Sequence, residues 1–271
     1  MSRNRFWMLL VLCCSLALLV ACGGGGEGEG SGEGDDVPEA SSDAPADTAP
    51  AVDTANAGGV KGVVNYSGPD ADTPVAMSAD PICSTLHTTP VDTGKYLAKD
   101  GKLGNVFVYV KSGLEGKSFP TPTEAKVLDQ QGCQYAPHVM GIQVGQPLEI
   151  KNSDETLHNV HAAPAVNPEF NQAQPAIQGI PPIKKTFDKA EVMVPVKCDV
   201  HPWMNAYLGV VSHPYYAVSG EDGSFSIDKL PAGTYTLEAW HEELGSATKE
   251  VTVAANQTVD VSFDFQPKTG G

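Results

Sequence analysis

From Val60 onward the hydrophobic residues fall in short runs separated by Gly, Pro, Asn and Asp, and no stretch has the pattern of a long amphipathic helix. Several runs alternate apolar and polar residues, which is the period of a strand with one buried face. This pattern is typical of β-sandwich and β-barrel proteins, so we expect an all-β fold. The runs are Val60–Tyr66, Val106–Val110, Ile142–Ile150, Val192–Val196, Leu208–Val211, Ser224–Ile227, Thr234–Trp240, Glu250–Val253 and Val259–Phe265.

The last part of the chain carries turn motifs between strands of period two. Asp222–Phe225 reads Asp-Gly-Ser-Phe, and Leu230–Tyr235 reads Leu-Pro-Ala-Gly-Thr-Tyr. These motifs resemble the carboxypeptidase regulatory-like (prealbumin-like) β-sandwich, whose opening strand is similar to Gly59–Val63 far upstream. The resemblance implies that residues 58–117 supply the N-terminal strands of this sandwich and residues 212–267 its C-terminal part. It leaves open whether the domain between them is inserted within the sandwich or merely precedes it.

The N-terminus has the composition of a secretion signal. A basic start is followed by an uncharged run from Phe6 to Val20, which is shorter than a membrane span requires and ends in small residues. Leu-Val-Ala-Cys, ending at Cys22, resembles the lipobox of bacterial lipoproteins. Residues 1–21 are then a lipoprotein signal peptide and Cys22 is the lipidated anchor, while cleavage with release and a retained span are the alternatives.

An acidic segment follows the predicted anchor. Residues 22–57 consist mainly of Gly, Ser, Ala, Pro and acid, with nine Asp or Glu and no Lys or Arg. Such a composition cannot bury enough apolar surface to offset its ordering entropy, so it predicts a disordered, self-repelling tether. The formal net charge of −16 also argues against nucleic acid as a partner.

The six cysteines divide by position. Two leave with the signal peptide, Cys22 takes lipid, and Cys198 belongs to the motif described next. Cys83 and Cys133 remain, and in an oxidising compartment a disulfide between them is expected. A second metal site formed with His87 and His138 is the alternative.

The segment Lys-Cys-Asp-Val-His-Pro-Trp-Met places a thiol, an imidazole and a thioether at every third position, as Cys198, His201 and Met204. The preceding run would carry Val192, Val194, Val196 and Cys198 on one face of a strand. Pro202 fixes its own φ and disfavours helix at His201, which favours a stiff loop that presents three donors to one point.

A second imidazole is expected from the upstream segment Leu-His-Asn-Val-His-Ala. Its histidines, His158 and His161, are three positions apart, so an extended chain places them on opposite faces. Only one of the two can therefore face the predicted site.

The two segments together resemble the cupredoxin (blue type 1 copper) family, and its amicyanin-like and plastocyanin-like members most of all. The motifs are His-Asn-Val-His, from His158, and Cys-x-x-His-Pro-x-Met, from Cys198. The resemblance covers residues 118–211 and implies a Greek-key β-sandwich that holds one copper ion. The ligands it implies are His158, Cys198, His201 and Met204, with Asn159 as the residue that ties the two ligand segments together and His161 as the non-ligand histidine.

The resemblance implies one-electron transport and no catalysis. The electron would pass through an exposed edge of His201, with Pro202 and Trp203 forming the rim of a small docking patch for transient redox protein partners. We expect an exported protein, anchored to the membrane by lipid on its periplasmic or cell-surface side; Gly23 after Cys22 favours an outer membrane. Other candidates are zinc at the site, a purely structural cysteine, a copper-handling lipoprotein, and an adhesion or carbohydrate-binding module. The oligomeric state is not predicted.

Overall fold

The structure is a computed structural model that describes residues 54–70, 74–177 and 179–268. Within them nearly all of the regular secondary structure is strand, which confirms the all-β prediction. The helical elements are α1 (Cys83–Leu86) and a 3-10 turn at Met77–Ala79. The strands are β1 (Gly58–Tyr66), β2 (Pro74–Val75), β3 (Val91–Asp92), β4 (Ala98–Lys99), β5 (Lys102–Leu103), β6 (Phe107–Ser112), β7 (Lys126–Gln131), β8 (Gln134–Ala136), β9 (Val139–Gln143), β10 (Leu148–Asn152), β11 (His158–Ala162), β12 (Phe170–Gln174), β13 (Ile183–Lys185), β14 (Glu191–Lys197), β15 (Asn205–Val211), β16 (Tyr216–Val218), β17 (Ser224–Leu230), β18 (Gly233–His241), β19 (Gly245–Val253) and β20 (Thr258–Phe265).

Neither helical element in these residues is long and apolar enough to cross a lipid bilayer. The predicted signal peptide, Cys22 and nearly all of the predicted tether lie outside the described residues.

The first sandwich joins strands from both ends of the described chain. One sheet has the order β17-β1-β5-β4, with β20 pairing parallel to β1, and the other has the order β16-β6-β18-β19. In β17, alternation buries Phe225 and Ile227, and Leu230 is also buried, after a shift in register opposite Gly58 and Gly59. Strands β7 to β15 lie in sequence between β6 and β16, so a second set of sheets is inserted within this sandwich.

The inserted strands form the second sandwich. Its sheets have the orders β13-β10-β7-β8 and β12-β11-β14-β15-β9. They enclose a separate core that includes Leu128, Ile150, Phe187, Val194 and Leu208. The two ligand motifs lie in this half, on β11 and on the β14–β15 connection.

The run Ile142–Ile150, which the sequence pattern predicts as one strand, forms two strands, β9 and β10. β9 pairs parallel with β15 in one sheet and β10 pairs parallel with β7 in the other. The chain crosses between the sheets at a turn in which Gly145 has φ +76°, a conformation that glycine adopts at little cost. A run in which apolar and polar residues alternate can therefore hide a sheet-to-sheet crossing.

The segment 74–92 departs from the predicted organisation, which assigned all of 58–117 to the regulatory-like sandwich. Met77 and Cys83 are buried in the core of the second sandwich, and Val75 and Val91 pack against it. The reason is apolar packing together with a disulfide that joins Cys83 to Cys133 of the inserted half. We call residues 77–92 the cap segment.

A third apolar cluster, built on Phe107, Tyr109, Val139 and Val211, lies where β6 of the first sandwich meets β9 and β15 of the second. Glycine permits this close approach. A Cβ at Gly209 would lie 2.3 Å from the Phe107 ring, well inside any real contact. The two sandwiches are thus packed directly on each other.

Candidate metal centre

The loop after β14, residues 198–204, which we call the metal loop, is closed by its own backbone. Cys198 N–H donates to the Met204 carbonyl at 3.1 Å, and Met204 N–H donates to the His201 carbonyl at 2.9 Å. His201 N–H lies 3.4 Å from the Cys198 sulfur. These bonds turn the chain back on itself, as the short loop around Pro202 predicts, so that all three donor-bearing residues stay at one end of the strand pair.

Strand β14 directs Cys198 inward. Val194, Val196 and Cys198 are buried, while Pro195 and Lys197 are exposed, which is the predicted alternation. The alternation does not extend back to Val192, which packs in the cluster between the sandwiches. An irregularity in register between Glu191 and Val194 changes the face.

Strand β11 separates the two candidate histidines as expected. His158 is completely buried, whereas the His161 side chain is partly exposed and contacts the carboxylates of Asp199 and Glu169. β11 pairs with β14 through His161 opposite Lys197, which brings His158 to the region of Cys198. The described structure therefore turns His158, and not His161, toward the thiol.

Three donor atoms converge inside the second sandwich. The Nδ1 atoms of His158 and His201 lie 2.9 Å apart, and Cys198 Sγ lies 3.8 Å from His201 Nδ1. One donor atom from each of these residues lies within 4.8 Å of the others, and all three residues are buried. Two nitrogens that are each about 2 Å from one ion stand roughly 3 Å apart, so the spacing suits a single metal.

Each of the two imidazoles contacts a carboxylate through Nε2, the nitrogen that points away from the other ring. His158 Nε2 is 2.9 Å from Asp154 Oδ2, and His201 Nε2 is 3.2 Å from Asp80 Oδ2. A carboxylate can only accept, so each carboxylate favours a proton on the Nε2 atom that it faces, and the two Nδ1 atoms are the ones available to bind a cation. Two Nδ1 lone pairs at 2.9 Å repel each other unless a proton or a metal ion lies between them.

The hydrogen bonds favour charged forms. Burial alone would raise the pKa of the Cys198 thiol, but hydrogen bonds from His158 and from backbone groups lower it to about 7. Burial also opposes a charge on His158, yet Asp154 and Cys198 together raise the pKa of its imidazole. A backbone N–H of Cys83 is the main reason that the pKa of Asp80 is lowered to about 2. The donor set thus supplies a ready thiolate in a buried place.

Met204 and Asn159 complete the arrangement. Met204 is 1% exposed and packs in the same core as Cys198, so its thioether is buried in the sandwich that holds the other donors. Asn159 Oδ1 accepts from Asp199 N–H at 2.6 Å and lies 3.3 Å from the Cys198 sulfur. The asparagine therefore joins the histidine strand to the cysteine loop.

The expectation of an exposed edge on His201 is wrong. His201 is 2% exposed because the cap segment covers it: Asp80 bonds its Nε2, and Cys83 Sγ lies 3.7 Å from the same atom. Pro202 is exposed and Trp203 is half-buried, with its ring centroid 5.0 Å from that of His201. These two residues flank a covered ligand.

Cys83 and Cys133 are disulfide-bonded. Their neighbouring imidazoles serve other partners: His87 Nε2 lies 2.8 Å from the Gly132 carbonyl oxygen, and His138 pairs with Glu242. The arrangement differs from the alternative in which these cysteines and histidines bind a second metal ion.

Asp80 and Asp154 are functional candidates that the sequence motifs did not identify. Asp154 stands four residues before His158, which is a weak signal, but Asp80 is 121 positions from its partner His201. Nothing in the local sequence of Asp80 indicates its role.

Comparisons with known proteins give two kinds of match. The carboxypeptidase regulatory-like domain family matches residues 202–266, which confirms the resemblance to that family. The matched region begins inside the metal loop. No curated protein matches the chain. Matched structures include a Cu(I) form of a methionine-to-glutamine mutant of amicyanin, at 24% identity over 32% of this chain and 81% of that chain with a TM-score of 0.28. A reduced tryptophan-to-tyrosine mutant of amicyanin matches at 26% identity over 32% and 81%, with a TM-score of 0.28.

A purple cupredoxin from Nitrosopumilus maritimus matches at 18% identity, over 32% of this chain and 97% of that chain, with a TM-score of 0.26. Cupredoxins thus recur among the matched structures. At these TM-scores they add no argument, and the candidate metal centre rests on its own donor atoms.

Proposed function

We propose that the chain binds one copper ion through His158, Cys198, His201 and Met204 and carries single electrons between redox proteins outside the cytoplasm, without catalysing a reaction. The observation that carries the proposal is the pair of Nδ1 atoms 2.9 Å apart beside a buried thiol, with both Nε2 atoms bonded to carboxylates. Bound copper supplies a one-electron couple.

The donor chemistry favours copper over zinc. Cys198 offers a thiolate near neutral pH, and Met204 encloses a thioether in the same core. Two imidazoles, one thiolate and a weak axial thioether are the ligands of blue-copper electron-transfer sites, whereas structural zinc sites use cysteine, histidine and carboxylate.

The burial of the donors favours electron transport over a role in which the copper ion is exchanged with other proteins. The four proposed ligands are at most 2% exposed, so water and small substrates are kept away from them. Strand pairing and the Asn159 bridge fix the two ligand segments relative to each other, so the donors need little movement when the charge of the site changes. A copper-handling protein would instead need an accessible, exchangeable site.

The electron would leave across the cap segment and the metal loop. His201 contacts Asp80, Cys83 and Trp203 on its outer side. Ile82 and Val200 expose large apolar side chains next to these contacts, and Pro202 is exposed beside them. A small apolar surface of this kind suits transient docking of a redox protein, and a lipid on Cys22 would keep the carrier at its membrane.

The spectrum of the copper-loaded protein tests the proposal. We expect an intense blue charge-transfer band from the thiolate and a cupric spin-resonance signal, both reversibly lost on one-electron reduction. Cys198→Ser should abolish the band, and a chelator should remove copper from the wild type slowly. A colourless cupric protein, or immediate loss of copper to the chelator, would refute electron carriage and favour copper handling. Glycan binding that survives Cys198→Ser would favour the adhesion module.

A further inference from the structure

The cap segment delivers a carboxylate to one ligand. Asp80 Oδ2 lies 3.2 Å from His201 Nε2, and Asp80 Oδ1 accepts the backbone N–H of Cys83 at 2.9 Å. Thr156 Oγ1 also donates to Asp80 Oδ2 at 3.2 Å. The Asp80 side chain is 19% exposed, so it is largely shielded from solvent. One carboxylate therefore holds the turn of the cap segment and the imidazole of His201 at once.

The opposite side of the site repeats this arrangement. Asp154 Oδ2 lies 2.9 Å from His158 Nε2 and accepts the backbone N–H of Cys133 at 2.7 Å. Gly132 N–H donates to the other carboxylate oxygen at 2.7 Å. The Asp154 side chain is 5% exposed and His158 is fully buried. Each ligand histidine thus has its own carboxylate, and each carboxylate is bound by a disulfide cysteine.

The Cys83–Cys133 disulfide joins the two halves covalently. The chain of contacts runs from one imidazole through a carboxylate and the disulfide to the second carboxylate and the second imidazole. Trp203 Nε1 donates to the Cys133 carbonyl at 3.0 Å, so the metal loop is attached to the same bridge.

We propose that Asp80 and Asp154, coupled by the Cys83–Cys133 disulfide, form a carboxylate shell that retains the metal and lowers its reduction potential. This inference rests on the proposed function for the identity of the metal. The three parts of the shell are positioning residues, since they act through His158 and His201.

The physical reason lies in charge and orientation. A carboxylate that accepts the Nε2 proton fixes the tautomer and makes Nδ1 a stronger donor; loss of such a partner typically costs about 10- to 100-fold in metal affinity. Two anions in a poorly solvated place also favour the more highly charged cupric state over the cuprous state. Removing either anion should raise the reduction potential.

The first experiment measures the potential of the copper-loaded full chain for wild type, Asp80→Asn and Asp154→Asn. We expect each variant to shift the cupric–cuprous equilibrium about tenfold or more toward the cuprous state, which is 59 mV for a one-electron couple. Glu169→Gln is the matched control: Glu169 is an exposed carboxylate that bonds Nε2 of the non-ligand His161 and contacts no proposed ligand. Folded, blue variants whose equilibria match that of the control would overturn the inference.

The second experiment needs no metal. In the metal-free protein, nitrogen-15 spectra of the imidazoles should show the proton on Nε2 of both His158 and His201. In Asp80→Asn the proton of His201 alone should become distributed between Nε2 and Nδ1. In the double variant Cys83→Ala/Cys133→Ala the same should happen in both rings. If the double variant does not fold, the two single Asp variants still decide the matter. If the proton stays on Nε2 of both rings in all folded variants, the inferred role of the carboxylate shell is wrong.

The two experiments separate this inference from the function it rests on. A wild type without a blue band would refute the electron carrier, while the imidazole spectra would still confirm or refute the shell. A blue wild type with unchanged variants would refute the shell alone.

Discussion

His158 and His201 face each other through their Nδ1 atoms at 2.9 Å, although 43 positions separate them in the chain. Their Nε2 atoms point the other way, to Asp154 and Asp80. Both rings are buried, so solvent does not come between the two nitrogens. A proton or a metal ion between the two nitrogens stabilises this arrangement, which shows which of the histidines can act as ligands.

Replacing the two histidines of β11 in turn tests this ligand assignment. His158→Ala should remove one nitrogen donor and abolish the blue band of the copper-loaded protein. His161→Ala should leave the band, because His161 contacts Asp199 and Glu169 on the other face of the strand. Absorption spectra of both variants, with copper content measured in parallel, decide the matter. Loss of colour in His161→Ala with colour kept in His158→Ala would reverse the assignment.

The sequence predicts much of this centre because its signals are local. Cys198, His201 and Met204 lie within one loop, and the period of two in β11 tells His158 from His161. The all-β class follows in the same way from alternation within single strands. Each of these inferences needs only residues a few positions apart.

The rest of the centre depends on long-range contacts that have no local pattern. Asp80 meets His201 only because a segment placed before β6 folds over the inserted sandwich, and its sequence resembles an ordinary turn. The burial of His201 follows from the same contact, so the expected exposed edge could not be corrected from the motif. The run Ile142–Ile150 fails for a similar reason, since its apolar residues serve two sheets.

Met204 should affect the potential more than the retention of copper. Met204→Leu keeps the volume of a side chain that is 1% exposed, so it should cost less than about 1.5 kcal/mol in unfolding free energy. Because an axial thioether bond is weak, the variant should keep copper and the blue band but change the reduction potential. Met204→Ala should also lose about 2–5 kcal/mol of stability by leaving a cavity. Spectroscopic redox titration and denaturant unfolding measure the two effects, and loss of copper from Met204→Leu would contradict an axial role.

Gly209 should be required for the contact between the sandwiches. In Gly209→Ala the new Cβ would lie 2.3 Å from the Phe107 ring, so the two sheets must shift. We expect a loss of about 1–3 kcal/mol in unfolding free energy, the usual range for an overpacked core. Gly220→Ala is the control, because its Cβ would meet only the Asp222 side chain, at 3.2 Å, and it should cost less. Equal denaturant midpoints for the two variants would show that the sheets tolerate the extra methyl group.

His241 should make the first sandwich sensitive to acid. Burial lowers the pKa of its imidazole to about 4 against the opposing effect of Glu242 and Glu243, and His138 adds to the lowering. Its Nδ1 accepts the backbone N–H groups of Glu243 and Leu244, while its Nε2 is buried without a partner. The neutral ring is therefore the form that the fold accommodates.

The sign of the effect follows from the unfolded pKa of about 6.5, which lies above the folded value. Above pH 6.5 both states hold a neutral ring and stability is complete; as the pH falls from 6.5 to 4 only the unfolded chain takes the proton. Stability should fall by about 1.4 kcal/mol per pH unit, to a total on the order of 3 kcal/mol. Denaturant unfolding of the metal-free protein between pH 7 and pH 4 measures this. His241→Asn retains an acceptor near Nδ1 but does not titrate, so its profile should be flatter; equal slopes in the two proteins would assign the acid sensitivity to other groups.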